Sequence, residues 1–413
     1  MTSEVARQSM FESTPLNPPD AIFGLIEEFK QDDRQDKVNL SVGVYQDESG
    51  GTPILECVRT AEAQLLDEGG SKSYLPIDGH RGYNGLIGNL ILGDELCPVT
   101  TDLVRSTTVH SVTAQTPGGT GALRIAGDFL KQVLATETIW ISNPTWANHR
   151  QIYTAVGLEI KTYDYLDERG TGLDIEKVIE SLSSAKAGDA VLLHTVCHNP
   201  TGVDLRPDQW QRLLQLVQEK SLRPIFDFAY QGFGEDIESD AFPIRYFCNQ
   251  GGEALICNSF SKNFGLYGER VGGITAVTAT PDSAAAVLSQ IKRIIRTTYS
   301  NPPLHGAAIV NKVLGDKALR STWITELASM QNRIKRLRAK FVELVNAVAP
   351  DRDFGYVNEQ RGMFSYSGLS RDEVERLKTE HAIYVLGSGR VNIAGLNGNN
   401  IRRVCTAIAE VMN

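Results

Sequence analysis

The alternation of short apolar runs with helical patterns constrains the fold of this 413-residue chain more than any other feature. A helical pattern over 122–134 follows the first of these runs, and another over 207–220 lies between the third and the fourth. Strands alternating with helices at this spacing favour a mostly parallel sheet covered by helices on both faces. The apolar runs are Ser111–Gln115, Thr138–Ser142, Ala190–Val196, Pro224–Phe228, Ala254–Cys257 and Val271–Val277.

The segment before the first of these runs carries its own local patterns. Residues 1–20 are polar and rich in proline, which is typical of an arm that does not fold alone. Residues 21–30 and 53–66 have helical spacing, whereas Val38–Tyr45 alternates as a strand and brings Gly43 near its centre.

A chain of this length exceeds what one hydrophobic core usually supports, so a second domain is expected. Apolar residues recur at three and four positions over 323–348, which predicts one long helix, and short strand and helix patterns follow it. We therefore expect an arm at 1–20, a large domain at 51–322, and a small α+β domain made of 21–50 and 323–413. The apolar stripe of the long helix is Ile324, Leu327, Met330, Ile334, Leu337, Phe341, Leu344 and Val348.

Composition excludes several functional classes. The net charge of -9 argues against a surface for nucleic acid or anionic membranes. No apolar run approaches the roughly 20 residues that span a bilayer, and the first residues lack the apolar core of a signal peptide. The cysteines lack metal-ligand spacing, so we expect no metal and a cytoplasmic protein with reduced thiols. They are Cys57, Cys97, Cys197, Cys248, Cys257 and Cys405.

The segment between the last two apolar runs carries the strongest chemical signal. Lys262 follows the run ending at Cys257, and an amine in apolar surroundings loses its proton readily and can attack a carbonyl. Ser259, Ser261 and Arg270 could hold a phosphate close by. The spacing of Ser259 and Lys262 also matches the Ser-x-x-Lys of penicillin-binding hydrolases, but the Ser-Asp-Asn and Lys-Thr-Gly motifs of that class do not occur in the chain.

Other candidates also follow predicted strands. The glycine turn around Gly119 and Thr120 precedes a helix and could present backbone N–H groups to an anion, although such turns are common structural devices. Asp227 ends an apolar run, where a carboxylate needs a cation, a helix N–H group or an ion-pair partner. Asn199 lies in a common turn sequence, and a tryptophan such as Trp146, taken by itself, is more often part of the core.

These motifs together resemble the class I pyridoxal-phosphate aminotransferases of fold type I, and within them the aspartate/aromatic subgroup. The resemblance runs from about Met10 to the C-terminus. It rests on Ser-Lys-Asn-Phe-Gly-Leu-Tyr with an arginine eight residues after the lysine, Asn-Pro-Thr-Trp-Ala-Asn-His, Cys-His-Asn-Pro-Thr-Gly and Asp-Phe-Ala-Tyr-Gln-Gly-Phe. It implies a large cofactor domain with a mostly parallel, seven-stranded type of sheet between helices, a smaller α+β domain, and a homodimer that shares its two active sites.

The resemblance also assigns roles to residues around the cofactor. Lys262 would bind pyridoxal phosphate covalently and move protons, and Asp227, buttressed by His149, would face the ring nitrogen. Tyr230 and Asn199 would donate hydrogen bonds to the phenolic oxygen, and Trp146 would cover the ring. The phosphate would be held by Gly119, Thr120, Ser259, Ser261 and Arg270, and by Tyr74 of the other subunit.

On the substrate side, the resemblance implies that Arg390 binds the α-carboxylate. Arg296 would reach into the partner's site for the distal carboxylate, and Gly43, Trp146, Asn199 and Phe364 would line the substrate. The implied reaction converts aspartate and 2-oxoglutarate to oxaloacetate and glutamate, with aromatic amino acids as additional donors. Three alternatives stay open: an enzyme mainly for aromatic amino acids, a pyridoxal-phosphate lyase or decarboxylase on the same fold, and a regulator fused to a DNA-binding module, for which no basic helix-turn-helix is apparent.

Overall fold

The computed structural model describes residues 9–18, 20–93 and 109–412. Its helices are α1 (Ala21–Gln31), α2 (Glu56–Glu68), α3 (Arg81–Leu92), α4 (Gly118–Gln132), α5 (Ala147–Val156), α6 (Ile175–Ser183), α7 (Pro207–Glu219), α8 (Phe242–Asn249), α9 (Pro281–Thr298), α10 (His305–Gly315), α11 (Lys317–Val348), α12 (Arg371–His381) and α13 (Ile401–Met412). Its strands are β1 (Val38–Asn39), β2 (His110–Pro117), β3 (Thr138–Asn143), β4 (Glu159–Asp164), β5 (Ala190–His194), β6 (Arg223–Phe228), β7 (Ala254–Ser259), β8 (Val271–Thr278), β9 (Phe364–Tyr366), β10 (Ile383–Tyr384) and β11 (Arg390–Asn392).

A seven-stranded sheet in the order β2-β8-β7-β6-β5-β3-β4 forms the centre of the molecule. Its neighbouring strands pair in parallel except where β8 meets β2 and β7. The predicted fold class, a mostly parallel sheet between helices, is confirmed. Register brings His194 of β5 opposite Asp227 of β6, and Asp227 opposite Cys257 of β7, so the carboxyl ends of these strands form one edge.

The helices cover both faces of the sheet because side chains along a buried strand point alternately to opposite faces. Strand β7 is buried along its whole length. Its Leu255 and Cys257 belong to one apolar core, which they share with α4 and α9, whereas Ala254 and Ile256 belong to another, shared with α3, α7, α8 and α10. A continuous apolar run such as 254–257 is therefore what a strand covered on both faces requires.

A smaller set of elements lies at the two ends of the described chain. Strand β1 pairs in parallel with β10, β9 pairs antiparallel with β11, and α11 packs against α13. Helix α11 runs unbroken across positions 322 and 323, where we expect the large and small domains to meet. The division into domains stays a prediction.

Two predicted boundaries near the site are wrong. The strand predicted over Val38–Tyr45 ends at Asn39, because the carbonyls of Val42 and Val44 accept hydrogen bonds from the Asn392 side chain (2.8 Å each) instead of from a neighbouring strand. The helix predicted from residue 122 begins at Gly118, which places the glycine turn inside its first turn.

The apolar stripe of α11 is partly wrong as well. Leu327, Met330, Ile334 and Phe341 are buried, but Ile324 and Val348 are each 44% exposed. Trp323, which is fully buried, takes the inward position beside Ile324, and Val348 is the last residue of the helix.

The cysteines of the described chain, Cys57, Cys197, Cys248, Cys257 and Cys405, are buried and free. Cys97 lies outside the described residues. In the part of the chain that the structure describes, we find no helix long and apolar enough to cross a membrane.

Candidate active site

A cavity of about 490 Å³ lies at the carboxyl ends of β5, β6 and β7, where ligands gather in open parallel sheets. Thirteen of the fifteen predicted site residues line it, and Tyr74 and Arg296 do not. The lining residues that the sequence predicted are Gly43, Gly119, Thr120, Trp146, Asn199, Asp227, Tyr230, Ser259, Ser261, Lys262, Arg270, Phe364 and Arg390.

Lys262 is a buried amine that the fold holds without an ion pair among the described residues. It follows β7, and the turn behind it is fixed because Trp323 Nε1 donates to the Asn263 carbonyl (2.8 Å) and Asn263 Nδ2 donates to the Gln231 carbonyl (3.2 Å). Its Nζ lies 5.4 Å from the centre of the Tyr230 ring. Burial lowers the pKa of Lys262 to about 8, and Asp227 only partly opposes that shift. The neutral form of this amine is therefore the minor form near physiological pH, but it is far more populated than in an ordinary lysine.

Asp227 is a buried carboxylate whose charge is maintained by its neighbours. His149 Nε2 lies 3.0 Å from its Oδ2, whereas no described residue donates a hydrogen bond to Oδ1. Burial works to raise the pKa of the Asp227 carboxyl, but the hydrogen bond from His149 and the charge of Lys262 outweigh it, so the net shift is downward. A carboxylate of this kind, with one oxygen free at a cavity wall, is suited to a cationic N–H group.

A chain of hydrogen bonds leads from Asn199 to Asp227 and sets the direction of each donor. The Asn199 N–H donates to His194 Nδ1 (3.2 Å), so His194 carries its proton on Nε2, which faces Thr145 Oγ1 at 3.2 Å. Thr145 Oγ1 in turn lies 2.9 Å from His149 Nδ1, which leaves the His149 proton on Nε2 towards Asp227. Burial lowers the pKa of His194 to about 3, so this ring is neutral.

His149, His194 and Asp227 are also residue types that bind metal ions. Ligand atoms of His149, His194 and Asp227 lie within 4.8 Å of one another, a set that could hold a metal ion. Each nitrogen of the His149 and His194 rings already has a hydrogen-bond partner. Among the described ligand atoms of this cluster, only one oxygen of Asp227 has no hydrogen-bond donor. The geometry thus suits a support for the carboxylate better than a metal site.

The start of α4 and the segment around Lys262 form a cup for an anion. Ser259 Oγ lies 3.1 Å from Ser261 Oγ, which accepts a hydrogen bond from Arg270 Nη1 at 3.3 Å. Opposite them, a Cβ atom on Gly118 would lie 2.4 Å from Arg270, so only glycine leaves the guanidinium in place. A helix N-terminus, two hydroxyls and a guanidinium match the charge and the acceptors of a phosphate dianion.

Arg390 forms the opposite wall. Its Nη1 donates to Asn199 Oδ1 (3.2 Å), its Nη2 donates to the Ser41 carbonyl, and its guanidinium lies 4.1 Å from the centre of the Phe364 ring. Its Nε is buried and has no hydrogen-bond partner among the described residues. Burial lowers the pKa of Arg390 to about 10, so the group stays cationic at neutral pH and suits a carboxylate. Gly43 allows the backbone to lie close to Phe364, because a Cβ atom at this position would lie 3.2 Å from the Phe364 ring.

Tyr74 and Arg296 both lie outside the cavity. Tyr74 is 92% exposed, and Arg296, near the end of α9, is exposed with its Nη1 bonded to Ser300 Oγ at 2.6 Å. The loop after α9 adjoins the segment of Tyr74, because Asn301 Nδ2 donates to the Leu75 carbonyl at 3.3 Å. Within one chain these residues do not reach the site, and their predicted service to a partner stays a prediction.

Sequence reasoning missed three polar residues of the cavity wall, Asn148, His194 and Tyr267. His194 ends β5 in register with Asp227, so its place at the end of a predicted strand was a usable signal. Tyr267 lies five residues after Lys262, and its hydroxyl accepts a hydrogen bond from the Tyr45 N–H at 2.8 Å. Its role depends on a contact with a distant segment, which no local pattern encodes.

The arrangement fits pyridoxal phosphate group by group. An amine with a lowered pKa is present for the aldehyde, a carboxylate oxygen for the ring nitrogen, an anion cup for the phosphate, and the Trp146 indole at the wall for the ring face. Burial also raises the pKa of the Tyr230 hydroxyl well above its usual range, so this group is a hydrogen-bond donor for an anionic phenolic oxygen.

Comparisons with known proteins agree with this geometry. The family model "Aminotransferase class I and II" matches residues 35–408. An aspartate aminotransferase of Haemophilus influenzae is 46% identical over 403 residues, which cover 98% of this chain and 100% of that protein. An aromatic-amino-acid aminotransferase of Escherichia coli is 42% identical over 404 residues, with 98% and 100% covered. A crystal structure of an aromatic-amino-acid aminotransferase from Burkholderia pseudomallei, covalently bound to pyridoxal phosphate, has 44% identity and a TM-score of 0.93 over 98% of this chain and 100% of that one.

Proposed function

The chain belongs to the class I and II aminotransferases, and from that premise we propose that it transfers the amino group of aspartate to 2-oxoglutarate, with pyridoxal phosphate as its cofactor and aromatic amino acids as additional donors. One observation carries the proposal: a buried amine, a buried carboxylate, an anion cup and a buried guanidinium line one cavity. The similarity to aspartate aminotransferases over the full length of the chain supports the choice of substrate.

The residues of the cavity wall would hold the cofactor. Ser259, Ser261, Arg270 and the start of α4, with Gly119 and Thr120, would bind its phosphate, and Asp227 would bind its ring nitrogen. Tyr230 and Asn199 would donate to the phenolic oxygen, and Trp146 would cover the ring. When bound there, pyridoxal phosphate supplies an electron sink for the α-carbon of an amino acid.

The chain's own residues would then orient the substrate and move its proton. Arg390 binds the α-carboxylate as a fork and fixes the α-carbon relative to Lys262. Lys262 Nζ, with a pKa of about 8, accepts the α-proton as a neutral amine and returns it as an ammonium group. Asp227, supported by His149, Thr145 and His194, keeps a negative charge against the ring throughout.

We further propose a homodimer in which Arg296 and Tyr74 serve the neighbouring active site. Both residues are exposed, and neither lines the cavity of its own chain. The loop that follows α9, near Arg296, is hydrogen-bonded to the residue after Tyr74. In a twofold dimer each chain can lend such residues to the other. Arg296 would then face the distal carboxylate of aspartate or glutamate, which explains a preference for dicarboxylates. We also propose that the protein is cytoplasmic, in line with the buried, free cysteines of the described chain.

A second candidate activity is transamination mainly of aromatic amino acids. It is favoured by the TM-score of 0.93 to the Burkholderia pseudomallei enzyme, a value that the yeast cytoplasmic aspartate aminotransferase nearly equals at 0.92. Both candidate activities use the same residues of the cavity. They differ only in which substrate side chain, a carboxylate or an aromatic ring, Arg296 and its surroundings would bind.

Absorption spectra of half-reactions test the proposal and separate the candidates. The protein loaded with pyridoxal phosphate is mixed with aspartate, glutamate, phenylalanine or tyrosine, and the loss of the cofactor's long-wavelength band is followed. We expect aspartate and glutamate to react fastest and the aromatic donors to react more slowly. Faster reaction with tyrosine would favour the second candidate. Consumption of aspartate without stoichiometric formation of oxaloacetate would instead indicate a lyase or decarboxylase and would overturn both.

A further inference from the structure

A second cavity, of about 600 Å³, lies between α11 and the start of α13, and its lining is strongly basic. Arg333, Arg336, Lys340 and Arg402 line it, with Glu48 as the one acid among its lining residues. It shares no lining residue with the active-site cavity. The net charge of the chain is -9, so four cationic side chains around one cavity give this surface a charge opposite in sign to that of the whole protein.

Local acids pair with two of these four cations, Arg333 and Lys340, and leave the other two without a partner among the described residues. Glu48 Oε1 accepts the Gly398 N–H at 2.6 Å, and its Oε2 lies 3.2 Å from Arg333 Nη2, so both oxygens are committed. Lys340 pairs with Glu343 at 2.6 Å. Arg336 and Arg402, both exposed, form no hydrogen bond or ion pair with any described residue. Two guanidinium groups are thus available to a ligand.

Arg333 provides a fixed floor beneath those two groups. Its side chain is only 12% exposed, its Nη1 donates to the Gln46 carbonyl at 2.8 Å, and its Nη2 donates to the Leu396 carbonyl at 2.9 Å. Its guanidinium also lies 5.6 Å from the centre of the Tyr45 ring. A charge held in this way needs no reordering when an anion arrives, which lowers the cost of binding.

The beginning of α13 adds a second source of positive potential. Ile401, its first residue, and Arg402 line the cavity, and the N-terminal end of a twelve-residue helix carries partial positive charge. Guanidinium forks beside a helix N-terminus match the several terminal oxygens of a phosphoryl group. We infer that this cavity is a binding site for a phosphoryl group, presented either as free phosphate or as a phosphomonoester.

The test uses the protein loaded with pyridoxal phosphate, with saturating succinate present so that Arg390 is occupied. Isothermal titration at constant ionic strength is carried out with orthophosphate and, separately, with glycerol 3-phosphate. The variant Arg336→Gln/Arg402→Gln removes the two partnerless guanidinium groups and leaves Arg333 to support the backbone. We expect the binding of at least one of these probes to weaken by about tenfold or more in this variant.

A matched control has the same change in net charge elsewhere. Arg169 and Arg371 are exposed and do not line the cavity, so the variant Arg169→Gln/Arg371→Gln should bind as the unchanged protein does. Binding of orthophosphate alone would identify free phosphate as the ligand, and binding of the ester alone would identify a phosphorylated metabolite. No binding of either probe would overturn the inference, and so would an equal loss in both variants. Loss of the active-site reaction bears on the proposed function alone, since this readout is binding.

Discussion

Two regions of this protein carry the predicted chemistry, and they differ in how completely one chain builds them. The buried wall, which comprises Lys262, Asp227 and Arg390 with their neighbours, lines the cavity at the carboxyl ends of β5, β6 and β7. The exposed pair, Tyr74 and Arg296, lies outside it, with Arg296 near the end of α9. One chain therefore supplies the residues for the covalent and proton-transfer chemistry, whereas in our proposal the residue that selects a second carboxylate comes from another chain.

The physical environments of the two regions explain this contrast. In the buried wall, burial lowers the pKa of both Lys262 and Arg390, and hydrogen bonds with distant segments hold Asp227 and Arg390. In the exposed pair, Arg296 near the end of α9 bonds, among the described residues, only to the nearby Ser300. Changes in the wall should therefore abolish chemistry in every substrate class, and changes in the pair should discriminate between substrates.

The largest effect should follow Lys262→Ala, which removes both the attacking amine and the base. We expect the rate of transamination to fall by about 10⁴-fold or more with every donor. Borohydride reduction of the loaded protein should fix the cofactor to the peptide that contains Lys262. Lys186→Ala, at an exposed position, should leave both results unchanged. Cofactor fixed to another peptide would contradict the assignment of Lys262 as the residue that binds the cofactor covalently.

The next largest effect should follow Asp227→Asn. Loss of a buried charge from its pair costs about 3–5 kcal/mol, so the rate should fall by about 10²- to 10³-fold. Asp164→Asn is the matched control, because Asp164 ends the edge strand β4 of the same sheet but is exposed. Circular dichroism checks that both variants are folded. Near-normal turnover in Asp227→Asn would contradict the proposed contact with the ring nitrogen.

A selective effect should follow Arg296→Asp, in the exposed pair. Charge-assisted hydrogen bonds contribute about 1.5–3 kcal/mol, so kcat/KM for aspartate should fall about 10- to 100-fold more than kcat/KM for phenylalanine. Arg293→Asp, one turn earlier on α9 and also exposed, should show no such selectivity. An equal loss of kcat/KM for both substrates in Arg296→Asp would show that Arg296 does not bind the substrate side chain.

The smallest effect is a displacement in pH. Only the neutral form of Lys262 attacks the cofactor's aldehyde, so the rate at which cofactor-free protein binds pyridoxal phosphate covalently should rise with pH and level off above about 8. Because the negative charge of Asp227 raises this pKa, Asp227→Asn should move the midpoint to lower pH. Stopped-flow absorbance measures both. A midpoint near the 10.5 of an ordinary lysine would contradict the burial of this amine.

The sequence predicted the central sheet well because its strands are encoded locally. The runs at 138–142, 224–228 and 254–257 became β3, β6 and β7, each extended by one or two residues. The Val38–Tyr45 strand failed because its carbonyls bond to the side chain of Asn392, about 350 residues away. Ile324 failed because the neighbouring Trp323 takes the buried position, a choice that packing makes and periodicity cannot.

The candidate site divides in the same way. Lys262 and Asp227 were predictable because each follows a buried strand, and the carboxyl ends of parallel strands meet at one edge. The hydrogen-bonded chain from Asn199 through His194 and Thr145 was not, because it depends on distances between three separate loops. Tyr74 and Arg296 were identified by resemblance alone, and one chain gives them no partner in the cavity.

Complementation between two impaired variants tests most directly whether the exposed pair serves the other chain. Arg296→Asp and Lys262→Ala chains are refolded separately and together, and aspartate turnover is measured. In a mixed dimer one site combines the intact Lys262 of the first chain with the intact Arg296 of the second, so the account predicts that mixing raises aspartate turnover well above that of either variant alone. If Arg296 served its own chain, every intact Lys262 would face a mutated Arg296, and mixing would not raise aspartate turnover.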